Sequence, residues 1–160
     1  MQLDRPASAD MTKRALPGFP SSKWTYVLKL LGLMIVADKR VLKVEVDTFL
    51  DVVMELRVVM DPSVTLTRHM ARDWFVLNRP DLESIIESLA YDTFICETLA
   101  PIKSIPHKLD IISGMVRIAI SDDDYVQIER GLIKKTCLYW NIGSHLQETV
   151  NQNFVPEFQH

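Results

Sequence analysis

Apolar residues recur along most of the chain at the three-to-four-residue spacing of an amphipathic helix, and no stretch alternates with the period of two typical of a strand. The pattern predicts seven helices, over about 22–37, 42–59, 65–78, 80–100, 104–119, 125–141 and 144–154. The first is apolar on nearly every side, so we expect it to be the central and most buried element. The fold class is therefore all-α, a bundle of about seven helices.

Prolines and glycines set the expected helix ends. Pro62 stops the second helix because proline cannot extend the hydrogen-bond ladder, and Pro80 suits the first position of the fourth helix. Gly143 is expected to end the sixth helix. The four residues from Ser144 have the form of a capping box, which predicts a short seventh helix running toward Phe154.

Two segments of the chain share one pattern. In the first, an apolar run leads to Asp38 and, seven positions on, to Glu45; in the second, a similar run leads to Asp122 and Glu129. The aspartates and the glutamates are each 84 residues apart, and the apolar register continues at that offset beyond them. The chain is therefore interpreted as two related helical hairpins with an internal pseudo-twofold repeat.

The ends of the chain differ from its middle. Residues 1–22 contain three prolines, mixed charges and no apolar periodicity, so they cannot bury enough surface to offset the entropy cost of ordering. We expect them to form a flexible leader. Residues 23–154 are the predicted helical domain, and 155–160 are a C-terminal tail.

Composition and charge narrow the class of protein. The chain has 160 residues, 48% of them hydrophobic, and a net charge of −3, which fits one globular domain. Because a nucleic-acid-binding protein needs a clustered basic face, no nucleic-acid partner is expected. Cys96 and Cys137 lie in apolar helical patterns without a Cys-x-x-Cys spacing, which indicates reduced core thiols in a cytoplasmic protein. The densest apolar run, 30–37, is far shorter than the roughly 20 residues of a transmembrane segment.

The acidic residues at the two hairpin bends form the candidate site. In a structural interpretation, a glutamate in the first turn of a helix accepts hydrogen bonds from exposed N–H groups and complements the positive end of the helix dipole. In a second interpretation, the carboxylates bind a divalent cation, calcium or magnesium, although the spacing is not that of an EF-hand loop. The candidate metal ligands are Asp38, Glu45, Asp122, Asp123, Asp124 and Glu129.

Known catalytic patterns are missing from the sequence. The four histidines are scattered without the spacing of zinc or di-iron ligands, and neither a Gly-x-Ser-x-Gly motif nor a Gly-rich phosphate loop occurs. An enzyme that uses paired carboxylates as acid and base would need two such groups with separated pKa values in one pocket. We therefore expect a protein that is not an enzyme and has no cofactor other than the cation considered above.

The two acidic hairpins carry a resemblance to a known family. The run from Ile35 to Asp38 followed by Glu45, echoed by Asp122 and Glu129, resembles the TerB-like tellurite-resistance family over roughly residues 22–154. Members usually have a glycine directly after the aspartate and a serine or threonine three positions before the glutamate. This chain departs from both: Lys39 and Asp123 replace the glycine, and Leu42 and Val126 replace the hydroxyl residue.

The resemblance implies a function as well as a fold. It implies a bacterial helical bundle, cytoplasmic or peripherally associated with the membrane, that takes part in stress responses and has no catalytic activity. It also implies that Asp38, Glu45, Asp122 and Glu129 match the family's proposed metal ligands. We therefore expect a non-enzymatic interaction protein, a subunit or adaptor with protein partners in a larger assembly. A divalent-cation-binding protein is the alternative.

Overall fold

Six α-helices make up the described part of the chain. The computed structural model describes residues 22–37, 39–122 and 127–142. Its helices are α1 (Ser22–Val36), α2 (Lys43–Met60), α3 (Arg68–Ile86), α4 (Tyr91–Leu99), α5 (Ile105–Ile120) and α6 (Gln127–Tyr139). No strand occurs in these ranges, and the all-α prediction is confirmed. The predicted seventh helix and nearly all of the predicted leader lie outside the described residues.

Helix α1 is the centre of the bundle, as its sequence predicts. It packs against α2, α3, α4 and α5. Burying a large apolar side chain contributes roughly 1.5–3 kcal/mol, so the core is organised around this helix. Its fully buried apolar side chains are Trp24, Val27, Leu28, Leu30, Leu31, Leu33, Met34 and Ile35. Within the described ranges, none of the helices combines the length and apolar character that crossing a bilayer requires.

Two glycines allow close approach between helices. A Cβ added at Gly32 of α1 would lie 2.9 Å from Cδ1 of Leu82 in α3. A Cβ added at Gly114 of α5 would lie 2.5 Å from Cγ1 of Val52 in α2. Both distances are shorter than a carbon–carbon contact allows, so the bundle is packed to the limit at these two crossings.

The break between the third and fourth helices is misplaced in the sequence prediction. Helix α3 runs through Pro80, and the break falls at 87–90. The ring of Pro80 removes one backbone hydrogen bond, but Pro80 and Val76 are both exposed, so water can hydrate the carbonyl left without a donor. Burial of Leu82 and Ile85 beyond the proline favours the helical conformation of the last turns.

Some residues predicted to face the core are exposed. The apolar spacing of the sequence predicts Leu77, Leu89 and Leu109 on buried helix faces, but all three are exposed. The buried stripes of α3 and α5 lie on neighbouring positions, and Leu89 falls in the link before α4. Cys137 is a buried thiol as predicted. Cys96 is exposed instead, since the buried side of α4 is formed by other residues.

Helix α6 ends at Tyr139, two residues before the predicted end at 141. Asn141 takes the left-handed conformation with φ 55°. Its N–H donates to the carbonyl of Leu138 at 3.1 Å, and the N–H of Ile142 donates to the carbonyl of Cys137 at 3.0 Å. These two bonds form a Schellman motif, in which asparagine is the common substitute for glycine. Gly143 lies outside the described residues.

Candidate functional site

The first hairpin bend keeps a tight turn without a glycine. Lys39 has φ 65°, in the left-handed region that favours glycine, and its N–H donates to the carbonyl of Val36 at 3.0 Å. This is the position at which the TerB-like pattern has glycine. A left-handed non-glycine residue costs roughly 1–2 kcal/mol, so the bend is held at some expense in stability. Asp38, the candidate ligand beside it, lies outside the described residues.

The side chain of Lys39 connects this bend to the end of α3. Its Nζ lies 2.7 Å from Oε2 of Glu87, and both side chains are exposed. The hydrogen bond from Lys39, helped by its charge, lowers the pKa of Glu87. Exposed pairs of this kind contribute little to stability, so the contact orients the bend more than it stabilises the fold.

Glu45 performs the structural role considered for it. It lies in the first turn of α2 with none of its surface exposed, and its Oε1 accepts a hydrogen bond from the N–H of Leu42 at 3.1 Å. The side chain of Leu42 has no oxygen, so it cannot return a bond as serine or threonine would in a full capping box. Of the two hydrogen bonds of a capping box, the helix start therefore has only the one that the carboxylate of Glu45 accepts.

Glu129 occupies the corresponding place in the second hairpin. It lies in the first turn of α6, is likewise fully buried, and is engaged in a polar interaction. Acidic side chains are almost never fully buried unless they are paired, so two at matching positions are unusual. Four pairs of residues after the glutamates, 84 positions apart, are buried in both hairpins, although Leu50 is buried and its counterpart Lys134 is exposed. The four pairs are Phe49 and Ile133, Val52 and Thr136, Val53 and Cys137, and Leu56 and Trp140.

The described candidates are not gathered into a metal site. Asp122 follows α5 and is half-buried. Within 22–37, 39–122 and 127–142, no three His, Cys, Asp or Glu side chains lie close enough together to hold an ion. Glu45, Asp122 and Glu129 therefore do not form such a group. Asp123 and Asp124 lie outside the described residues, and cation binding stays a prediction.

Sequence reasoning passed over a buried lysine in the central helix. Lys29 is only 2% exposed, and its Nζ lies 5.3 Å from the ring centre of Tyr26 and 5.7 Å from that of Phe94. Burial lowers its pKa, and the negative charge of Glu97 acts in the opposite direction. The sequence does contain a signal for this burial. A lysine within a helix that is apolar on nearly every side has no wide polar face through which to reach water.

Comparisons with known proteins add nothing to the resemblance to the TerB-like family. The resemblance stays a prediction from the acidic pair at its spacing in both hairpins. Comparisons with protein-family models, curated proteins and solved structures find no match to this chain.

Proposed function

We propose that this chain is a non-enzymatic, TerB-like helical interaction protein, a subunit or adaptor of a larger cytoplasmic assembly. The observation that supports this most is the burial of Glu45 and Glu129 in the first turns of α2 and α6. Both glutamates lie inside the scaffold, and Glu45 accepts a hydrogen bond at the start of its helix. A scaffold of this kind acts through its surface.

The first bend gives the proposal independent support. Lys39 adopts the backbone conformation for which the family pattern has glycine, although the left-handed region is unfavourable for lysine. A left-handed turn at a lysine is constrained by the surrounding fold. We attribute that constraint to the relative placement of α1 and α2, which form the first hairpin.

The finer architecture belongs to the same proposal. The hairpin α1–α2 and the hairpin α5–α6 are taken as two copies related by a pseudo-twofold axis, with a seventh helix over 144–154. Matching burial of the paired residues at the offset of 84 supports the two copies. The capping-box pattern that begins at Ser144 supports the seventh helix.

Partner contacts are best sought at apolar side chains that the fold leaves in water. Val58 on α2, Val76 on α3 and Ile105 on α5 are each about 60% exposed or more, on three different helices. Burial of exposed apolar side chains is a common source of affinity between proteins. These positions therefore serve as reporters of where a partner binds.

Photo-crosslinking in the native host tests the proposal. A photoreactive amino acid is placed singly at Val58, Val76 or Ile105, and the chain is then purified under gentle conditions. We expect one position to give a discrete crosslinked product that the other two do not, and an aspartate at that position to abolish co-purification. A chain recovered only as a lone monomer, without crosslinks from any of the three sites, would contradict it.

Calcium or magnesium binding by the acidic bends is the competing function.

A further inference from the structure

The exposed side of α6 combines positive charge with apolar surface. Among the described residues, five of this helix line an open groove of about 500 Å³: Gly131, Lys134, Lys135, Leu138 and Tyr139. They are spaced three and four residues apart, so they lie on one face of the helix. Leu138 is 63% exposed and Tyr139 43%. We call these five residues the α6 face.

Charge on α6 is one-sided. Its basic residues are Arg130, Lys134 and Lys135, and its only acidic residue, Glu129, is fully buried. Lys135 is paired with the carboxylate of Asp92 in the first turn of α4. Lys134 is exposed and makes no ion pair within the part of the chain that the structure describes. The middle of the α6 face therefore presents a positive charge that can pair with a carboxylate from outside.

The α6 face has a gap at Gly131. A Cβ added there would meet no atom within 4 Å, whereas Gly32 and Gly114 are crowded by side chains of neighbouring helices. Ile128, one helical turn earlier, is 45% exposed and borders this gap with apolar surface. A large apolar side chain from outside can therefore pack over Gly131 and contact Ile128.

The opposite side of α6 is fixed to the core. It is formed by buried side chains, and directly after the helix Nε1 of Trp140 donates to the carbonyl of Leu99 at 3.1 Å. The buried residues of this side are Glu129, Leu132, Ile133, Thr136 and Cys137. Because the helix is held from behind, a ligand of the α6 face does not have to order it, which lowers the cost of binding.

We propose that the α6 face binds an acidic amphipathic helix of another protein. This rests on the proposed adaptor function and deepens it by naming a surface and the chemistry of a partner. The partner helix places a large apolar side chain over Gly131, a carboxylate at Lys134 and a second apolar side chain against Leu138. Since these three positions of α6 are three and four residues apart, the partner's side chains recur at the same spacing.

Other occupants fit the α6 face less well. Recognition of an anionic lipid surface takes about 4–8 clustered basic residues, whereas α6 has Arg130, Lys134 and Lys135, of which the last is already paired. A second copy placed face to face would bring two basic surfaces together, which like-charge repulsion disfavours. A helix with acidic and apolar side chains complements both the charge and the apolar surface.

A charge exchange tests the pairing at Lys134. The probe is a fluorescent helical peptide of about 15 residues, long enough to cover α6, with phenylalanine, glutamate and leucine at these spacings in an alanine and glutamine background. Fluorescence anisotropy measures its binding to the full-length chain. Lys134→Glu is expected to weaken binding about tenfold, and a peptide with lysine in place of glutamate is expected to restore binding to that variant.

Arg72→Glu is the matched control for the charge exchange. It makes the same change of charge at an exposed position of α3 and should leave binding of the peptide unchanged. No binding to the wild-type chain, or equal weakening by Lys134→Glu and Arg72→Glu, would overturn the proposal. Failure of the lysine peptide to bind Lys134→Glu would overturn the pairing of a carboxylate with Lys134.

Filling the gap gives a second readout. Gly131→Trp occupies the space assigned to the partner's large apolar side chain and is expected to weaken binding of the peptide about tenfold. Arg72→Trp places the same side chain at an exposed position of α3 and serves as control. Unchanged binding to Gly131→Trp would overturn the placement of an apolar side chain over Gly131.

Further outcomes assign the α6 face to another occupant. Without peptide binding, sedimentation with vesicles rich in phosphatidylserine that Lys134→Glu abolishes would assign it to lipid. A dimer that Lys134→Glu dissociates would assign it to a second copy. Either result overturns the proposal. Host crosslinks from Val58, Val76 or Ile105 without peptide binding would overturn it too, but would leave the adaptor function standing.

Discussion

At the scale of single residues, Lys39 and Lys29 are placed where their own chemistry is unfavourable. Lys39 takes a left-handed backbone conformation at the first bend, and Lys29 is buried beside two aromatic rings in the central helix. Each is tolerated because surrounding contacts offset its cost. Replacing either residue therefore reports on how strongly the fold constrains that position.

Lys39→Gly is expected to stabilise the protein. Glycine removes the left-handed strain, worth roughly 1 kcal/mol, and the exposed contact with Glu87 that is lost contributes less than that. Urea unfolding measures the change, with Glu87→Gln as the shared background so that the ion pair is absent from both chains. Lys39→Ala is the matched control and should give no such gain, because alanine keeps the strain. A glycine variant no more stable than the alanine variant would contradict the strained turn.

Lys29→Met is expected to change how stability depends on pH. Burial lowers the pKa of Lys29 below its ordinary 10.5, so between the folded-state pKa and 10.5 the unfolded chain binds more protons than the folded one. The free energy of unfolding should therefore rise with pH across that window, and methionine should remove this contribution. Urea unfolding across the window measures it, with the exposed Lys134→Met as control. An identical pH dependence in wild type and Lys29→Met would contradict the burial effect.

At the scale of the elements, the sequence predicts helices well and their ends less well. Apolar periodicity locates six helices, and the predicted burial of α1 on nearly every side is confirmed. The break assigned to Pro80 is wrong, because tertiary burial of Leu82 and Ile85 outweighs the local cost of a proline on the exposed side. Local preference decides a helix end only where packing does not.

In the candidate site, too, the sequence predicts local position but not burial. Spacing alone placed Glu45 and Glu129 in the first turns of their helices, which the structure confirms. It could not predict that both are fully buried, since burial depends on which neighbouring elements cover a helix start. Nor does the spacing show that Lys29 is buried, because a single lysine beside an apolar run is equally compatible with an exposed position.

Pro80→Ala is expected to stabilise α3. Alanine restores a backbone N–H and removes the ring from an exposed helix interior, where proline costs up to about 3 kcal/mol, so a gain of about 1 kcal/mol or more is expected. Thermal unfolding measures it, and Arg79→Ala at the preceding exposed position serves as control. Reduced stability in Pro80→Ala would contradict this and would mean that the proline ring itself helps Leu82 to pack on α1.

At the scale of the whole molecule, the bundle depends on close helix crossings and on buried acids at two helix starts. Gly114→Ala should destabilise it by roughly 1–3 kcal/mol, because the added Cβ would lie 2.5 Å from Val52. Gly131→Ala, on an exposed helix face, is the matched control and should be neutral or stabilising. Equal effects of the two substitutions on the urea midpoint would contradict the close α2–α5 crossing.

The measurement that tests the account most directly is the free energy of unfolding of wild type, Glu45→Gln and Glu129→Gln, each with a chelator and with calcium or magnesium. If both glutamates serve the scaffold, each substitution destabilises the protein by about 1 kcal/mol or more, and cations change none of the three values. Wild type that becomes more stable with cation, while Glu129→Gln does not, would contradict the scaffold role and favour an ion site.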